Sequence, residues 1–276
     1  MKYSKILTIQ DISCVGQCSL TVALPILSAC GLETCILPSA VLSTHTAGFT
    51  GFTVRDLTDD MPNIAAHWKK EGIAFDGLYT GYLGSERQIG FVLDIMRDLI
   101  KPGSPRIVDP AMADNGKMYP CFDMAFAKAM KALCAKADIV LPNITEACFL
   151  TDTEYREEYD EAYAKELVRK LAELGAKKIV LTGVGFKPGR TGVAVFENDN
   201  WQYYEHKKIE RGCHGTGDVY ASAFVGSLMH GKDEFEAAKI AADYTVSCIE
   251  FTQGDASHWY GVKFEPLLGD LIKKLD

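Results

Sequence analysis

The segment Gly-Thr-Gly-Asp at positions 215–218 has the residue types of a phosphate-binding loop and directly precedes a helical pattern. Glycines let the backbone come close to a ligand, and the free amides at a helix N-terminus bind anions. A carboxylate beside bound anions is electrostatically unfavourable unless it takes part in the chemistry. We therefore predict that Asp218 accepts the proton of a hydroxyl group that attacks phosphorus.

A second segment, Asn-Ile-Thr-Glu at positions 143–146, opens another helix directly after Pro142. Asn143 is a good N-cap and Glu146 stands at the capping-box distance from it, so a purely structural role fits the local sequence. The functional interpretation is that Glu146, Asn143 and Asp109 hold Mg²⁺, mostly through water. Mg²⁺ prefers oxygen ligands and keeps much of its hydration shell, so few direct protein contacts are expected.

Two other nucleotide-binding motifs do not occur in the sequence. The phosphate loop G-x-x-x-x-G-K-[ST] is absent, and no G-x-G-x-x-G follows the first strand pattern. The second absence argues against a dehydrogenase.

The elements that must position these residues follow an alternating order. Short apolar runs rich in β-branched residues alternate with longer helical patterns, which is typical of an α/β fold with a mostly parallel sheet and helices on both faces. The predicted strands are residues 5–10, 32–37, 76–79, 106–109, 138–141 and 178–181. The predicted helices are residues 19–30, 61–71, 86–100, 121–137, one from 143, 159–174, 216–230 and 234–251.

Two later runs, 191–196 and 201–206, flank Glu-Asn-Asp-Asn and predict an antiparallel hairpin at the edge of the sheet. No linker, internal repeat or charge block divides the chain. We therefore expect one domain over residues 1–276.

Ligands of such sheets bind beyond the carboxyl ends of the strands. Polar residues stand at four of the predicted ends, namely Asp11, Asp109, Asn143 and the pair Thr182-Gly183. Each of them alone is typical of a turn or a helix cap. Their occurrence at the same edge predicts a single site there.

Composition bounds the class of protein. The chain has 276 residues, of which 47% are hydrophobic and 24% are charged, as in an ordinary globular protein. Lys and Arg number 29 against 37 Asp and Glu, and the net charge of −8 argues against nucleic acid or an anionic membrane as a partner. Nine cysteines without C-x-x-C spacing favour reduced thiols over a zinc site. Without a signal peptide or an apolar run of roughly 20 residues, we expect a cytoplasmic location.

Over nearly its whole length, the chain resembles the ribokinase-like superfamily and, within it, the vitamin B6 (pyridoxal/pyridoxamine) kinases. Segments 142–146 and 215–218 mark the superfamily. The pairs His45-Thr46 and Gly81-Tyr82 narrow the resemblance to the B6 kinases, and segments 10–13 and 109–114 also match. The fold that the resemblance implies is a three-layer α/β sandwich.

The resemblance implies ATP-dependent phosphorylation of the 5′-hydroxymethyl group of pyridoxal, pyridoxamine or pyridoxine, with Mg²⁺. It makes Asp218 the catalytic base, and the amides of Gly215, Thr216 and Gly217 stabilise the transferring phosphoryl group. The residues that it places near the nucleotide are Asp109, Asp114, Asn143, Glu146, Thr182, Gly183 and Thr216. The residues that it places near the vitamer are Asp11, His45, Thr46, Tyr82 and Asp218, with Tyr82 packed on the pyridine ring. By likeness we also expect a symmetric homodimer.

Asp11 and Leu141 depart from the family pattern, and the pair Cys213-His214 is a separate feature. Asp11 stands where several members carry serine, which would shift the preference among vitamers. Leu141 replaces a threonine that lies near a monovalent cation in some members, so a potassium requirement stays open. Cys213-His214 precede the anion loop, but transfer to a hydroxyl needs no covalent step, which argues against a nucleophilic cysteine.

Two alternatives remain open at this point. A hydroxymethylpyrimidine kinase, or another small-molecule kinase of the superfamily, would also act on a small alcohol, and the former also has a flat heteroaromatic substrate, although His45-Thr46 and Tyr82 favour B6. A non-enzymatic B6-binding protein would be expected to lose Asp218 or Glu146, and the chain has both.

Overall fold

The computed structural model describes residues 3–209 and 214–276. In this part of the chain, nine strands form a central sheet and two more form a separate small hairpin. The strands are β1 (Lys5–Ser13), β2 (Glu33–Leu42), β3 (Val54–Asp56), β4 (Gly77–Thr80), β5 (Arg106–Val108), β6 (Ala113–Asp114), β7 (Lys117–Met118), β8 (Ile139–Val140), β9 (Lys178–Val184), β10 (Arg190–Glu197) and β11 (Asn200–Lys207). The helices are α1 (Leu20–Ala29), α2 (Met61–Lys70), α3 (Glu86–Asp98), α4 (Met124–Cys134), α5 (Ile144–Thr151), α6 (Glu161–Glu173), α7 (Thr216–Met229), α8 (Glu234–Thr252) and α9 (Leu268–Leu275), with a short 3₁₀-helix at Glu265–Leu267.

The central sheet is mostly parallel, with antiparallel strands at both edges. Its strand order is β11-β10-β9-β8-β5-β4-β1-β2-β3. The six strands from β9 to β2 are parallel, whereas β3, β10 and β11 run antiparallel to their neighbours. Because the carboxyl ends of the six parallel strands meet at one edge, the loops that follow them are brought together there.

Helices cover both faces of the sheet. On one face, α2 to α6 pack against strand residues that include Leu7 and Ile9. On the other face, α1, α7, α8 and α9 pack against Ile6 and Tyr79. Ile6 and Leu7 thus point to opposite sides, which is the period of two of a strand that is buried on both faces. The predicted three-layer α/β architecture and its antiparallel edge hairpin, β10 and β11, are confirmed.

Three strands extend at least three residues further than the sequence pattern predicts, and one of them, β2, continues to Leu42 and not only to 37. β1 continues to Ser13 through an irregularity in its pairing with β2 between Gln10 and Ile12, so Asp11 lies within a strand and not after it. β9 continues to Val184, so Thr182 and Gly183 are strand residues. Asp, Pro and Gly have low strand propensity, so Asp11, Pro38 and Gly183 hid the ends of these strands.

Two helices begin later than predicted because an aspartate caps each of them. Asp123 accepts hydrogen bonds from the amides of Ala125 and Phe126, so α4 begins at Met124 and not at 121. Asp160 caps α6 in the same way, so that helix begins at Glu161 and not at 159. An N-cap fixes a helix start because its side chain satisfies amides that have no partner within the helix.

Three elements were missed in the sequence pattern: the edge strand β3, the hairpin of β6 and β7, and α9. The hairpin turns at Asn115 and Gly116, which both have positive φ, and Asn-Gly is a strong signal for such a turn. Asp114 therefore lies in a hairpin strand. Within residues 3–209 and 214–276, no helix has both the length and the apolar character that crossing a membrane requires.

Candidate active site

Four acidic residues from separate elements gather at the carboxyl edge of the sheet. Asp11 lies near the end of β1, Asp109 directly follows β5, Glu146 lies in the first turn of α5, and Asp218 lies in the first turn of α7. Asp218 interacts electrostatically with Asp11 and Asp109, and Asp109 also interacts with Glu146. We call these four residues the acidic edge.

No lysine or arginine in the described part of the chain forms an ion pair with the acidic edge. The described ion pairs of the molecule lie elsewhere. Burial therefore raises the carboxyl pKa values of this cluster without a compensating lysine or arginine.

The loop that carries Asp218 is packed directly onto the loop that follows β1. Gly215 has a φ of 77°, and a side chain there would meet the carbonyl oxygen of Gln17 at 1.8 Å. Only glycine fits this backbone conformation and this close contact. The Gly215 carbonyl oxygen accepts the first hydrogen bond of α7, from the Val219 amide at 3.0 Å. The amides of the first turn are thereby held at the acidic edge.

Asp218 is a partly buried carboxylate in that first turn. Burial raises its pKa to about 7, and the negative charge of Asp11 raises it further, whereas a hydrogen bond from the backbone amide of Ser19 opposes both effects. A carboxylate with a pKa near neutrality is a suitable proton acceptor in catalysis.

Asp11 is buried beside Asp218. Its Oδ2 accepts a hydrogen bond from the Ser13 hydroxyl at 3.0 Å, and the Ser19 hydroxyl provides a second one. Burial raises the pKa of Asp11, while these two hydroxyls and the nearby His45 lower it. Asp11 is therefore a buried acid held by neutral donors.

Asp109 and Glu146 form a second pair of carboxylates at the same edge. Burial holds the pKa of Asp109 well above its usual range, and the charges of Glu146 and Asp218 add to this. Burial also raises the pKa of Glu146 to about 7, against hydrogen bonds from three backbone amides, at Asn143, Met112 and Ala113. Such a pair would be stabilised by a cation.

Asn143 and Glu146 form a complete capping box at the start of α5. The Asn143 Oδ1 atom accepts from the Glu146 amide at 2.9 Å, and Glu146 Oε2 accepts from the Asn143 amide at 2.9 Å. Glu146 Oε1 accepts from the Met112 amide at 3.1 Å, and Asn143 Nδ2 donates to the Ala113 carbonyl oxygen at 2.8 Å. The motif therefore caps α5, as its local sequence predicts. The same hydrogen bonds also hold the Glu146 carboxylate near Asp109.

His45 is buried, and both of its ring nitrogens bind backbone groups. Nδ1 accepts from the Ala47 amide at 3.2 Å, so Nε2 carries the proton and donates to the Tyr260 carbonyl oxygen at 2.5 Å. Neither nitrogen is then free to bind a ligand. Thr46, the next residue, is exposed.

Tyr82 follows β4 at the same edge and is half-buried. Its hydroxyl lies 3.4 Å from the Cys121 Sγ atom, and its ring centroid lies 5.3 Å from that of Phe122. Burial raises the pKa of the hydroxyl, and Cys121 adds to the effect. Cys121 and Phe122 therefore hold the Tyr82 side chain in place.

The remaining predicted site residues lie around this centre. The Thr182 hydroxyl donates to the Pro142 carbonyl oxygen at 3.3 Å, which joins β9 to the start of α5. Gly183 is exposed, with a φ of 69° and open space where a side chain would be. Asp114 is exposed and its carboxylate accepts hydrogen bonds from Asn115. Cys213 lies outside the described residues.

Sequence reasoning missed several neighbours of the site. They include Ser19, which contacts two of the carboxylates, Tyr260, which holds His45, and the pair Cys121 and Phe122 beside Tyr82. Tyr260 lies 215 residues from His45 along the chain, so no local pattern could indicate that contact. Ser19 had a signal, since it is the polar residue at the predicted start of the first helix.

Comparison with known proteins assigns the chain to a family. The chain belongs to the phosphomethylpyrimidine kinase family, which matches residues 26–262. A Bacteroides thetaiotaomicron protein described as a phosphomethylpyrimidine kinase, in a crystal form with pyridoxal, is 38% identical, with a TM-score of 0.92 over 98% of this chain and 96% of that one. The pyridoxal kinase of Lactobacillus plantarum is 30% identical, with a TM-score of 0.90 over 98% of this chain and 97% of that one.

A curated relative points the same way. The pyridoxal kinase of Dictyostelium discoideum is 28% identical over 248 residues, which are 80% of this chain and 77% of that protein. The resemblance to vitamin B6 kinases that the sequence predicts is confirmed by these relatives.

Proposed function

We propose that the protein is an ATP-dependent kinase that phosphorylates the 5′-hydroxymethyl group of pyridoxal, pyridoxamine or pyridoxine. One observation carries the proposal. Asp218, with a pKa of about 7, stands at the start of a helix beside the buried Asp11, in a chain 38% identical to a protein crystallised with pyridoxal.

Asp218 is the proposed base. Its pKa near neutrality lets it take the proton from the vitamer hydroxyl as the oxygen attacks the γ-phosphorus of ATP. The proton ends on the Asp218 carboxylate, and the bond from phosphorus to the β,γ-bridging oxygen breaks. The amides of Gly215, Thr216 and Gly217 at the start of α7 stabilise the negative charge of the transferring group.

The residues at the edge of β5 and α5 fit Mg²⁺ held mainly through water. The half-buried Asp109 and the buried Glu146 lie together with no lysine or arginine partner among the described residues, and burial raises the pKa of both carboxyls, which supports a cation there. Both oxygens of Glu146 already accept backbone hydrogen bonds. Among the described residues, no three His, Cys, Asp or Glu side chains are placed to hold a metal directly. When bound, Mg²⁺ neutralises phosphate charge.

The proposed vitamer pocket lies on the β1 and β4 side of Asp218. Asp11 presents a buried carboxylate to the pyridine nitrogen or to a polar substituent, and Tyr82 presents a flat ring to the pyridine face. His45 holds the wall of the pocket through its two backbone hydrogen bonds. Thr46 adds an exposed hydroxyl at the entrance.

The proposed nucleotide side lies towards β9 and α5. Thr182, Gly183 and Asn143 line the carboxyl edge there, and Gly183 leaves open space next to an exposed backbone. Asp114 stands at the outer end of this side, in the hairpin next to α5.

A hydroxymethylpyrimidine kinase is the second candidate, because the family that matches this chain is described as phosphomethylpyrimidine kinase. Its substrate is also a flat heteroaromatic alcohol, so the same base and anion loop would serve it. The relatives described as pyridoxal kinases favour the B6 assignment.

A panel of alcohols tests the assignment. Initial rates of ADP formation are measured with pyridoxal, pyridoxamine, pyridoxine and hydroxymethylpyrimidine, each with ATP and Mg²⁺. We expect kcat/KM for at least one vitamer to exceed that for the pyrimidine by tenfold or more. A higher kcat/KM for the pyrimidine would establish the second candidate instead.

A further inference from the structure

Ser19 has a backbone conformation that residues other than glycine rarely adopt. Its φ is 54° and its ψ is −129°, and the residue is buried between β1 and α1. A positive φ at a residue with a side chain is strained and persists only where the surroundings enforce it. Such strain is often found at functional sites.

The surroundings of Ser19 fix its backbone on both sides. Ser19 forms an isolated antiparallel bridge with Ile12, next to Asp11. Its carbonyl oxygen accepts from the amides of Val22 and Ala23, at 3.0 and 2.9 Å, which begins α1. Its hydroxyl does not cap that helix, although serine at this position usually does so.

The hydroxyl and the amide of Ser19 are directed instead to two different carboxylates. The hydroxyl interacts with Asp11, and the backbone N–H interacts with Asp218. One strained residue therefore joins the proposed substrate-binding carboxylate to the proposed base.

We propose that Ser19 is a positioning residue that holds Asp11 and Asp218 in a fixed relation, so that recognition of the vitamer places its hydroxyl at the base. The inference rests on the proposed function. The side chain fixes Asp11, and the constrained backbone directs the amide to Asp218. The two effects can be separated, because alanine keeps the constraint and removes the hydroxyl, whereas glycine removes both.

The test compares Ser19→Ala with Ser19→Gly by kcat, by KM for pyridoxal and ATP, and by thermal stability. Ser19→Ala should raise the vitamer KM about three- to tenfold, the worth of one hydrogen bond, with a smaller change in kcat. Ser19→Gly should raise KM similarly and lower kcat about three- to tenfold below that of Ser19→Ala. It should nevertheless be at least as stable as Ser19→Ala, because glycine adopts a positive φ without strain.

A purely structural role gives the opposite order, since the more stable glycine variant would then be the more active one. That order, or an unchanged vitamer KM in Ser19→Ala, would overturn the proposal. Ser13→Ala is the matched control, because it removes the other hydroxyl on Asp11 and leaves the Asp218 contact intact. It should raise KM with a smaller loss of kcat than Ser19→Gly.

The proposed function can fail separately from this inference. If the wild-type protein phosphorylates the pyrimidine and no vitamer, the B6 assignment is wrong. The kcat order of the two Ser19 variants is then measured with the pyrimidine alcohol, and the same order is expected because the contact with Asp218 does not depend on the ring of the substrate.

Discussion

The two edges of the parallel sheet carry acidic residues in opposite electrostatic settings. At the amino edge, Asp138 accepts from the Arg106 amide at 3.0 Å and lies 2.6 Å from the Lys177 ammonium group. Glu234 pairs with Lys178 there. At the carboxyl edge, the acidic edge has no described lysine or arginine partner, and its pKa values are raised.

The acidic residues at the amino edge form ion pairs within the fold. Those of the acidic edge lack such partners among the described residues, which fits the proposed ligand site. A hollow of about 450 Å³ lies at the amino edge, lined by residues that include Arg106, Asp138 and Lys178. Its cations already have carboxylate partners, so it offers little attraction to a phosphate. The acidic edge, by contrast, has no lysine or arginine partner among the described residues, so the proposed cation and substrate would stabilise its ionised form.

The largest expected effect is at the base. Asp218→Asn keeps an oxygen that accepts from the Ser19 amide but cannot take a proton. We expect kcat to fall by roughly 10²–10⁴-fold, the usual worth of a positioned base, with nucleotide binding retained. Steady-state kinetics and ATP titration check this, and a variant with more than half of the wild-type kcat would exclude Asp218 as the base.

The next effect is on the metal requirement. Glu146→Gln removes a charge that acts through Mg²⁺, so the Mg²⁺ concentration for half-maximal rate should rise several-fold while the vitamer KM changes little. Because Glu146 also caps α5, a thermal melt must show that the variant is folded. Asp109→Asn, which breaks no described capping bond, should also raise the Mg²⁺ concentration for half-maximal rate. If that concentration is unchanged in both variants, Glu146 acts only as a helix cap.

A smaller effect is expected in the vitamer pocket. Tyr82→Ala removes a flat contact made equally in the ground and transition states, so the vitamer KM should rise about tenfold with a smaller change in kcat. The ATP KM should stay the same. Tyr82→Phe keeps the ring and removes only the hydroxyl near Cys121, and should stay close to wild type. A rise in the ATP KM alone would place Tyr82 on the nucleotide side.

The smallest effect on activity is expected at the amino edge. Asp138→Asn weakens the ion pairs with Lys177 and Arg106 and a hydrogen bond to the Arg106 amide, which should lower the free energy of unfolding by about 1–3 kcal/mol. Its kcat should stay within twofold of wild type. Chemical denaturation and kinetics on the same preparation check both values, and a large loss of turnover at full stability would link the two edges functionally.

Much of this arrangement could be predicted from the sequence, because it depends on local patterns. The alternation of apolar runs predicts the parallel sheet, and the sheet brings the residues after β5, at α5 and at α7 to one edge. Gly215 could be recognised because a tight turn before a helix demands its type. The fold class and the likeness to B6 kinases are confirmed.

The rest depends on contacts that no local pattern encodes. The extension of β1 through Asp11 depends on pairing with β2, and the tautomer of His45 depends on a carbonyl oxygen 215 residues away. The role of Ser19 depends on two carboxylates from distant elements. The Asn115-Gly116 hairpin and the polar Ser19 at the predicted start of the first helix were readable signals that were missed. The roles of the individual site residues stay predictions.

The most direct test of the account is the free energy of unfolding of Asp218→Asn and wild type at pH 8 and pH 4, without ligand. The folded-state pKa of Asp218 is raised from 3.8 to about 7. As the pH rises between these values, the unfolded chain ionises while the folded protein keeps the proton, so wild-type stability falls and then levels off. Asparagine, which stays neutral, escapes this loss. The account predicts that the variant is more stable than wild type by about 1–4 kcal/mol at pH 8, with little difference at pH 4. A variant less stable than wild type at pH 8 would show that Asp218 supports the fold, and would contradict the claim that this carboxylate is held at a cost for the reaction.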